Sequence, residues 1–307
     1  MAKINKKVGF CIASPHRNEN WYDWRVYNNL KQELQRLGYV YEKNAKNRIY
    51  FFGGALLNAY PDVNTFNHNS NNIALVYSHS YAVNSFEGFN HIFVASPTMK
   101  KFLWYRKIRR MLKLNFNYIP RYTGIDILPP FSSLTPNVEY RKEYDCDISF
   151  VGNIRVRPIV EDILEIVEKH QLDFKIFGHD WQNYQGNKAA LKYWQGDVIP
   201  YQDIPSLAAN SKVCLIDHHQ DMKREATVSH KYIDLLMSGG CLICDNNPGA
   251  YQYKGLVYKD KISLERLVLD LIAKRTLRES IRDRQYEKVK ELTTANAAKV
   301  LALKFIA

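Results

Sequence analysis

The 307-residue chain has no run of about 18 uncharged apolar residues, so no segment reads as a membrane-spanning helix. Its start, Met1-Ala2-Lys3-Ile4-Asn5-Lys6-Lys7, lacks the apolar stretch and small-residue cleavage site of a secretory signal and runs directly into a strand-like segment. Cysteine is scarce, with five residues at 11, 146, 214, 241 and 244, each in or beside an apolar β-like run. Cys241 and Cys244 form one Cys-x-x-Cys with no second pair at zinc-like spacing, so reduced core thiols are expected rather than a metal or redox centre. No internal repeat at a fixed period occurs, which argues against a solenoid. These absences fit a cytoplasmic protein, peripheral at most to a membrane or to DNA.

What the chain does have is the composition of a folded protein, 46% hydrophobic and 13% aromatic, and a length suited to two domains. Its net charge of +12 is unevenly placed: residues 1–140 hold 18 Lys/Arg against 8 Asp/Glu, and residues 141–307 hold 25 against 23. An excess confined to one half suggests a surface facing an acidic partner.

Strand and helix signals alternate through the first half. Residues 7–14 read as a buried strand, and 24–37 as an amphipathic helix ended by Gly38. Short apolar, β-rich runs follow at 39–42, 48–52, 73–77 and 91–95, and then a helix over 100–114. Residues 129–145 are polar and punctuated by proline, and read as a linker. The alternation then restarts: strand 147–152, helix 158–170 with Pro158 in its first turn, strand 174–177, helix 204–210, strand 213–216, helix 231–238 ended by Gly239-Gly240, strand 241–244. Residues 263–307 read as almost wholly helical and charged. The expected architecture is α/β, with two Rossmann-like domains (1–140 and 141–307) facing a cleft and a helical tail belonging to the second.

Three segments of the second half carry candidate chemistry. Phe150-Val151-Gly152-Asn153-Ile154-Arg155-Val156-Arg157-Pro158 ends a strand, delivers two arginines and starts a helix. Arg155 and Arg157 suit a diphosphate, for which they supply charge and bidentate hydrogen bonds, although a solvated loop would look the same. Phe177-Gly178-His179-Asp180-Trp181 again follows a strand and reads either as the wall of a nucleoside pocket or as a turn with an aromatic plug. Leu215-Ile216-Asp217-His218-His219-Gln220-Asp221-Met222 is followed by Val228-Ser229-His230-Lys231-Tyr232-Ile233-Asp234. There a strand delivers Asp217 and His218, and a helix starting near Ser229 points its dipole at a diphosphate. His218 and His219 are adjacent on extended chain and point to opposite faces, which argues against a shared metal ion.

In this order the segments resemble the CgeB-like (spore-maturation-protein) glycosyltransferases of the GT-B superfamily. That family's pattern runs Val-Gly-Asn-x-Arg, Gly-x-x-Trp, Leu-Asn-Asp-His-x-x-Met and Ser-x-Arg-x-x-Asp-x-x-x-x-Gly. It is met by Val151-Gly152-Asn153-Ile154-Arg155, by Gly178 and Trp181, by Leu215 through Met222, and by Ser229, Lys231, Asp234 and Gly239. The first half resembles it more loosely, through Trp21-Tyr22-Asp23-Trp24, Tyr77-Ser78-His79-Ser80 and Phe93-Val94-Ala95-Ser96. Departures are Ile216 for Asn, Lys231 for Arg and Tyr22 for Gly. The Glu-x7-Glu of related retaining enzymes is not intact: Ala226 lies eight residues before Asp234, and Glu225 is one position out of register.

The resemblance implies sugar transfer from a nucleotide-diphosphate sugar, a UDP-sugar favoured, without an essential metal. It implies a donor site of Gly152, Asn153, Arg155, Arg157, Gly178, His179, Asp180, Trp181, Ser229, His230, Lys231 and Asp234, with Asp234 on the ribose and Arg155, Arg157 and Lys231 on the diphosphate. Asp217 and His218 would face the donor sugar, and His79 would aid the acceptor hydroxyl. Ser14, His16, Asp23 and Trp24 are candidates for acceptor contact. Asp145-Cys146-Asp147 spells the Asp-x-Asp with which the other main glycosyltransferase fold binds manganese, but it opens a strand, away from the expected cleft.

The basic stretch Lys100–Lys113 holds seven Lys/Arg, no acid and interleaved aromatics, so Lys100, Lys101, Arg106, Lys107, Arg109 and Arg110 are further acceptor candidates. On a helix it suits a phosphate backbone, such as DNA carrying hydroxymethylated bases flipped into the cleft, or an anionic membrane or cell-envelope acceptor. A solvated amphipathic helix is the plain alternative. A non-catalytic nucleotide or nucleic-acid binding protein on the same scaffold is the competing class, which the broken glutamate spacing supports and the retained donor set opposes.

Overall fold

The computed structural model describes residues 8–13, 22–52, 67–78, 88–112, 124–137, 139–196 and 199–306, with only the backbone of Tyr22, Asp23 and Arg110. The chain divides into two compact units: residues 1–133 with 224–227 and 292–307, and residues 134–223 with 228–291.

The first unit is built on β1 (Gly9–Ile12), α1 (Tyr22–Arg36), β2 (Val40–Tyr41), β3 (Asn47–Phe52), β4 (Asn71–Val76), β5 (His91–Val94), α2 (Pro97–Leu112) and β6 (Gly124–Ile127). Its strands form one parallel sheet in the order β2-β1-β3-β4-β5-β6. The central strands β3 and β4 are buried along almost their whole length, as a parallel sheet covered on both faces requires. Val26, Leu30 and Leu34, spaced by four, turn one stripe of α1 into this core, and Gly38 at φ +92° ends the turn that follows.

The second unit comprises β7 (Cys146–Val151), α3 (Pro158–His170), β8 (Phe174–Phe177), α4 (Ile204–Asn210), β9 (Ser211–Ile216), α5 (Gln220–Arg224), α6 (His230–Met237), β10 (Leu242–Cys244), β11 (Leu256–Val257), α7 (Lys261–Ala273) and α8 (Arg275–Val289). Its sheet, again parallel, runs β11-β10-β9-β7-β8. The chain leaves β7 for β8 on one side and returns to β9 on the other, so the winding reverses between β7 and β9. Pro158 opens α3, Gln171 closes it in the left-handed region, and six aliphatic residues between them are buried.

The C-terminal segment departs from expectation. The tail does not all stay with the second unit: α9 (Thr294–Ala302) and the residues after it join the first. Ala297, Ala298 and Leu301 enter the first core, and Phe305 stacks on Phe10 at 6.1 Å. Two buried asparagines at the starts of β3 and β4 hold the end of the chain. Asn47 donates to the Ile306 carbonyl at 2.9 Å and accepts from the Ile306 N–H at 2.8 Å, while Asn71 donates to the Lys304 carbonyl at 2.7 Å and to Asn47 at 2.9 Å. The first unit also ends at Ser133, within the stretch read as a linker, where Ser132 pairs with Leu292 and Thr294.

All five cysteines are buried and unbridged, and burial pushes their thiols up, Cys146 and Cys241 to about 12. They are core residues with no thiolate at neutral pH.

Candidate donor site

Register places the C-terminal ends of four strands of the second sheet side by side. Val151 lies opposite Phe177, Phe150 opposite Leu215, and Ile216 opposite Cys244. The residues that follow these ends, Gly152–Arg157, Gly178–Trp181, Asp217–His218 and Asp245, therefore gather along one sheet edge. The winding reversal between β7 and β9 marks the place on such an edge where ligands bind.

The first two turns are locked together. The Gly152 N–H donates to Phe177 O at 2.9 Å, the Ile154 N–H to His179 O at 3.1 Å, and the Trp181 indole N–H to Gly152 O at 2.7 Å. A Cβ on Gly178 would stand 1.9 Å from Gly152 O, so only glycine permits this approach. Trp181 is wholly buried, stacked on Tyr184 at 4.6 Å and edge-on to Phe150 at 5.9 Å. Of the two readings of this segment, Trp181 takes the aromatic-plug role, while His179 is half-buried and Asp180, at φ +63°, is exposed.

At the switch point a single carboxylate oxygen gathers both arginines. Arg155 Nη2 and Arg157 Nη1 each donate to Asp217 Oδ1 at 2.8 Å. The Asp217 side chain is 1% exposed, Arg157 11% and Arg155 24%. Arg157 also donates through Nε and Nη2 to the Asn153 carbonyl, and its backbone N–H donates to Tyr184 Oη, which in turn donates to Glu161. Burial lowers the Arg157 pKa, with the Asp217 charge opposing that shift. Its guanidinium is thus committed to the turn. Among the described residues Arg155 makes only the Asp217 bond, and its Nε and Asp217 Oδ2 are buried without a hydrogen-bond partner.

Beside this cluster His218 is fully enclosed. Its Nδ1 bonds Asp245 Oδ1 at 2.8 Å and its backbone N–H donates to Asp245 Oδ2 at 3.0 Å, while Lys223 Nζ lies 2.7 Å from the same Oδ2. Burial pushes the Asp245 carboxyl up, but the hydrogen bonds and charge of His218, with Lys223, win and hold it below the usual carboxylate range. His219 is exposed, so the two histidines part as adjacent strand-end residues should. Ser229 caps α6 by accepting from the Tyr232 N–H at 3.2 Å. His230 is buried and Lys231 half-buried in the first turn, and buried Asp234 accepts from Tyr201 Oη at 3.0 Å.

Asp245, Lys223, Tyr201 and Tyr184 are site neighbours that sequence reasoning missed. Asp245 had a readable signal, because it follows the end of β10 as Asp217 follows β9. The others come from side-chain reach across loops. The Asp-x-Asp pair is engaged elsewhere: Asp147 bonds Lys212 at 2.7 Å and the Asp173 N–H at 2.9 Å, and Asp145 accepts from Tyr140 at 3.0 Å, at the opposite end of β7. Among the described residues no three His, Cys, Asp or Glu side chains come together as a metal site.

In the first unit, Lys100, Lys101 and Arg109 are exposed on α2, and Arg106 and Lys107 are half-buried. Trp24 is half-buried and stacks on Tyr27 at 5.3 Å. Ser14, His16 and His79, and the side chains of Asp23 and Arg110, lie outside the described residues. Glu225 is buried, and its carbonyl accepts from Ser96 Oγ at 2.5 Å.

Residues 155–301 match the family model described as Glycosyl transferase-like. The chain is similar over nearly its whole length to sucrose-phosphate synthase from Thermosynechococcus elongatus, at 11% identity and TM-score 0.68, covering 97% of this chain and 98% of that one. It is similar also to the DNA-modifying enzyme beta-glucosyltransferase, solved in the presence and absence of its substrate uridine diphosphoglucose, at 12% identity and TM-score 0.62 over 96% and 98%. T4 phage BGT in complex with UDP and Mn2+ matches at 11% identity and TM-score 0.60 over 97% and 99%. No curated protein matches the sequence significantly. The fold is that of the GT-B glycosyltransferases. On that fold the chain carries a glycosyltransferase-family domain, which makes the class an enzyme of glycosyl transfer.

Proposed function

We propose that the chain transfers a sugar from a UDP-sugar to a hydroxyl acceptor, with the donor held at the C-terminal edge of the second sheet, and that it is CgeB-like within its superfamily. The observation that carries this reading is the Arg155–Asp217–Arg157 cluster at the winding reversal. Two guanidinium charges against one carboxylate leave one positive charge beside a glycine turn, which favours a departing diphosphate. Uridine is favoured because relatives of this fold are solved with uridine diphosphoglucose and with UDP.

The roles divide by exposure. Arg157, fully engaged, holds the turn and Asp217 in place. Arg155, a quarter exposed, meets the diphosphate, and its Nε gains there the acceptor that a buried donor normally has. Lys231 and the start of α6 add positive potential. Asp234, steadied by Tyr201, takes ribose hydroxyls. His218 is a positioning residue. Its Nδ1 is bonded to Asp245, and the enclosed pair fixes the end of β9 beneath Asp217.

The beta-glucosyltransferase likeness supports a hydroxymethylated DNA base as acceptor, and the likeness to sucrose-phosphate synthase supports a small sugar equally well. The reading is tested by thermal shift and hydrolysis with UDP-, GDP-, TDP- and CMP-sugars, each with EDTA and with Mn2+. A UDP-sugar at about a hundred times its Kd should add about 2.7 kcal/mol of stability and be slowly hydrolysed, and Arg155→Met should abolish both effects. Equal activity in EDTA supports metal independence, and activity only with Mn2+ refutes that part. No response to any donor from folded protein refutes transfer and leaves a non-catalytic scaffold.

A further inference from the structure

The helix α2 has two apolar faces. Met99 and Leu103, 0% and 2% exposed, seat it on the first core. On the outward side stand Trp104, Tyr105, Met111 and Leu112, which are 54%, 52%, 46% and 78% exposed. At 3.6 residues per turn, Trp104, Ile108 and Met111 or Leu112 lie one above another. Trp104 and Tyr105 touch edge to face at 5.6 Å, and Lys101 lies 5.7 Å from the Tyr105 ring. Lys100 and Lys107 flank this stripe on one side and Arg109 on the other. From Gly88 to Ile125 the chain carries eight Lys/Arg and no Asp or Glu.

This layout decides among the three readings of the basic stretch. A solvated amphipathic helix keeps polar residues outward, whereas α2 keeps its largest apolar ones there. A nucleic-acid face leads with cations and uses aromatic rings for stacking, and it has no role for the aliphatic side chains of Met111 and Leu112. An apolar stripe with cations along both margins is the arrangement of a helix lying in a bilayer interface, with its side chains among acyl chains and its lysines and arginines at anionic headgroups.

We infer that the outward face of α2 docks the protein on an anionic lipid surface. The inference stands on α2 alone; combined with the proposed transfer reaction, it assigns the acceptor to a membrane-borne hydroxyl. No described helix is long and apolar enough to cross a membrane.

The test is flotation of the full chain with phosphatidylcholine vesicles, alone and mixed with phosphatidylglycerol, at low and high salt. Binding is expected to the anionic vesicles only and to fall with salt. The double variant Trp104→Ser/Met111→Ser should partition at least about tenfold less, from the lost apolar burial. Lys100→Glu/Arg109→Glu should do the same through charge. UDP-sugar hydrolysis without vesicles should be unchanged in Trp104→Ser/Met111→Ser, which separates this inference from the donor reading. Absence of flotation by folded, donor-hydrolysing protein would overturn it. So would salt-sensitive binding of random duplex DNA that is lost in Lys100→Glu/Arg109→Glu but kept in Trp104→Ser/Met111→Ser, which would make α2 a nucleic-acid face.

Discussion

Replacing Asp217 by alanine removes the carboxylate that, among the described residues, pairs with both Arg155 and Arg157. Arg157 is then a nearly buried guanidinium with no counter-charge, left with the Asn153 carbonyl as its one acceptor. Breaking one side of a buried ion pair costs about 3–5 kcal/mol, because the remaining charge is stranded. In a domain of this size that corresponds to a fall in melting temperature of roughly 6–20 °C. Arg155 provides the control: its side chain is a quarter exposed and makes one bond, so Arg155→Met should cost about 1 kcal/mol and a few degrees. Arg157→Met leaves Asp217 its bond to Arg155 but removes the buried guanidinium that ties Asp217 to the Asn153 carbonyl, so its cost should fall between those of Arg155→Met and Asp217→Ala. Urea unfolding and scanning calorimetry of the three variants measure the ranking directly. The reasoning is refuted if Asp217→Ala melts within a few degrees of the parent, or if Arg155→Met is the more damaging of the two arginine changes.

Other expectations follow from single contacts. Gly178→Ala drives a Cβ to 1.9 Å from Gly152 O and must separate the two turns, so it should cost about 3 kcal/mol and abolish donor-induced stabilisation; a normal melting curve would contradict this. Asn47→Leu removes four hydrogen bonds, to Gly9, Asn71 and both backbone groups of Ile306, and should raise amide exchange at 304–306 well before the second unit is affected. The His91 pKa is held below its usual value by burial and by the Lys304 charge, against the pull of Asp126. Below about pH 6.5 the unfolded chain therefore binds the proton that the folded one resists, and stability is lost as the pH falls until folded His91 itself titrates. His91→Phe should flatten that part of a stability-against-pH curve.

Local signals were legible where local physics suffices. Pro158 in a first turn, an apolar stripe at helical spacing and no competing breaker define α3 from residues 158 to 170, as read from the sequence and as found. The strand-ending glycines and the polar residues after apolar runs marked Gly152, Gly178, Asp217 and His218 as one sheet edge, because parallel strands present their C-terminal ends together. Short strands escaped: β6 and β11 have too few residues to show a period. The chain's end was assigned to the wrong unit because its anchors, Asn47 and Asn71, are about 230 or more residues distant in sequence and act through backbone groups of Lys304 and Ile306. Asp245 and Lys223 were likewise invisible as partners of His218, since nothing in their spacing encodes a meeting across two loops. In the basic helix the composition suggested an acidic partner, and only packing showed which of two apolar stripes the core takes and which remains outside. Periodicity and turn chemistry act within a few residues and are written in the chain, whereas the pairing of charges, the docking of a tail and the choice of a buried face depend on which surfaces the folded chain brings into contact.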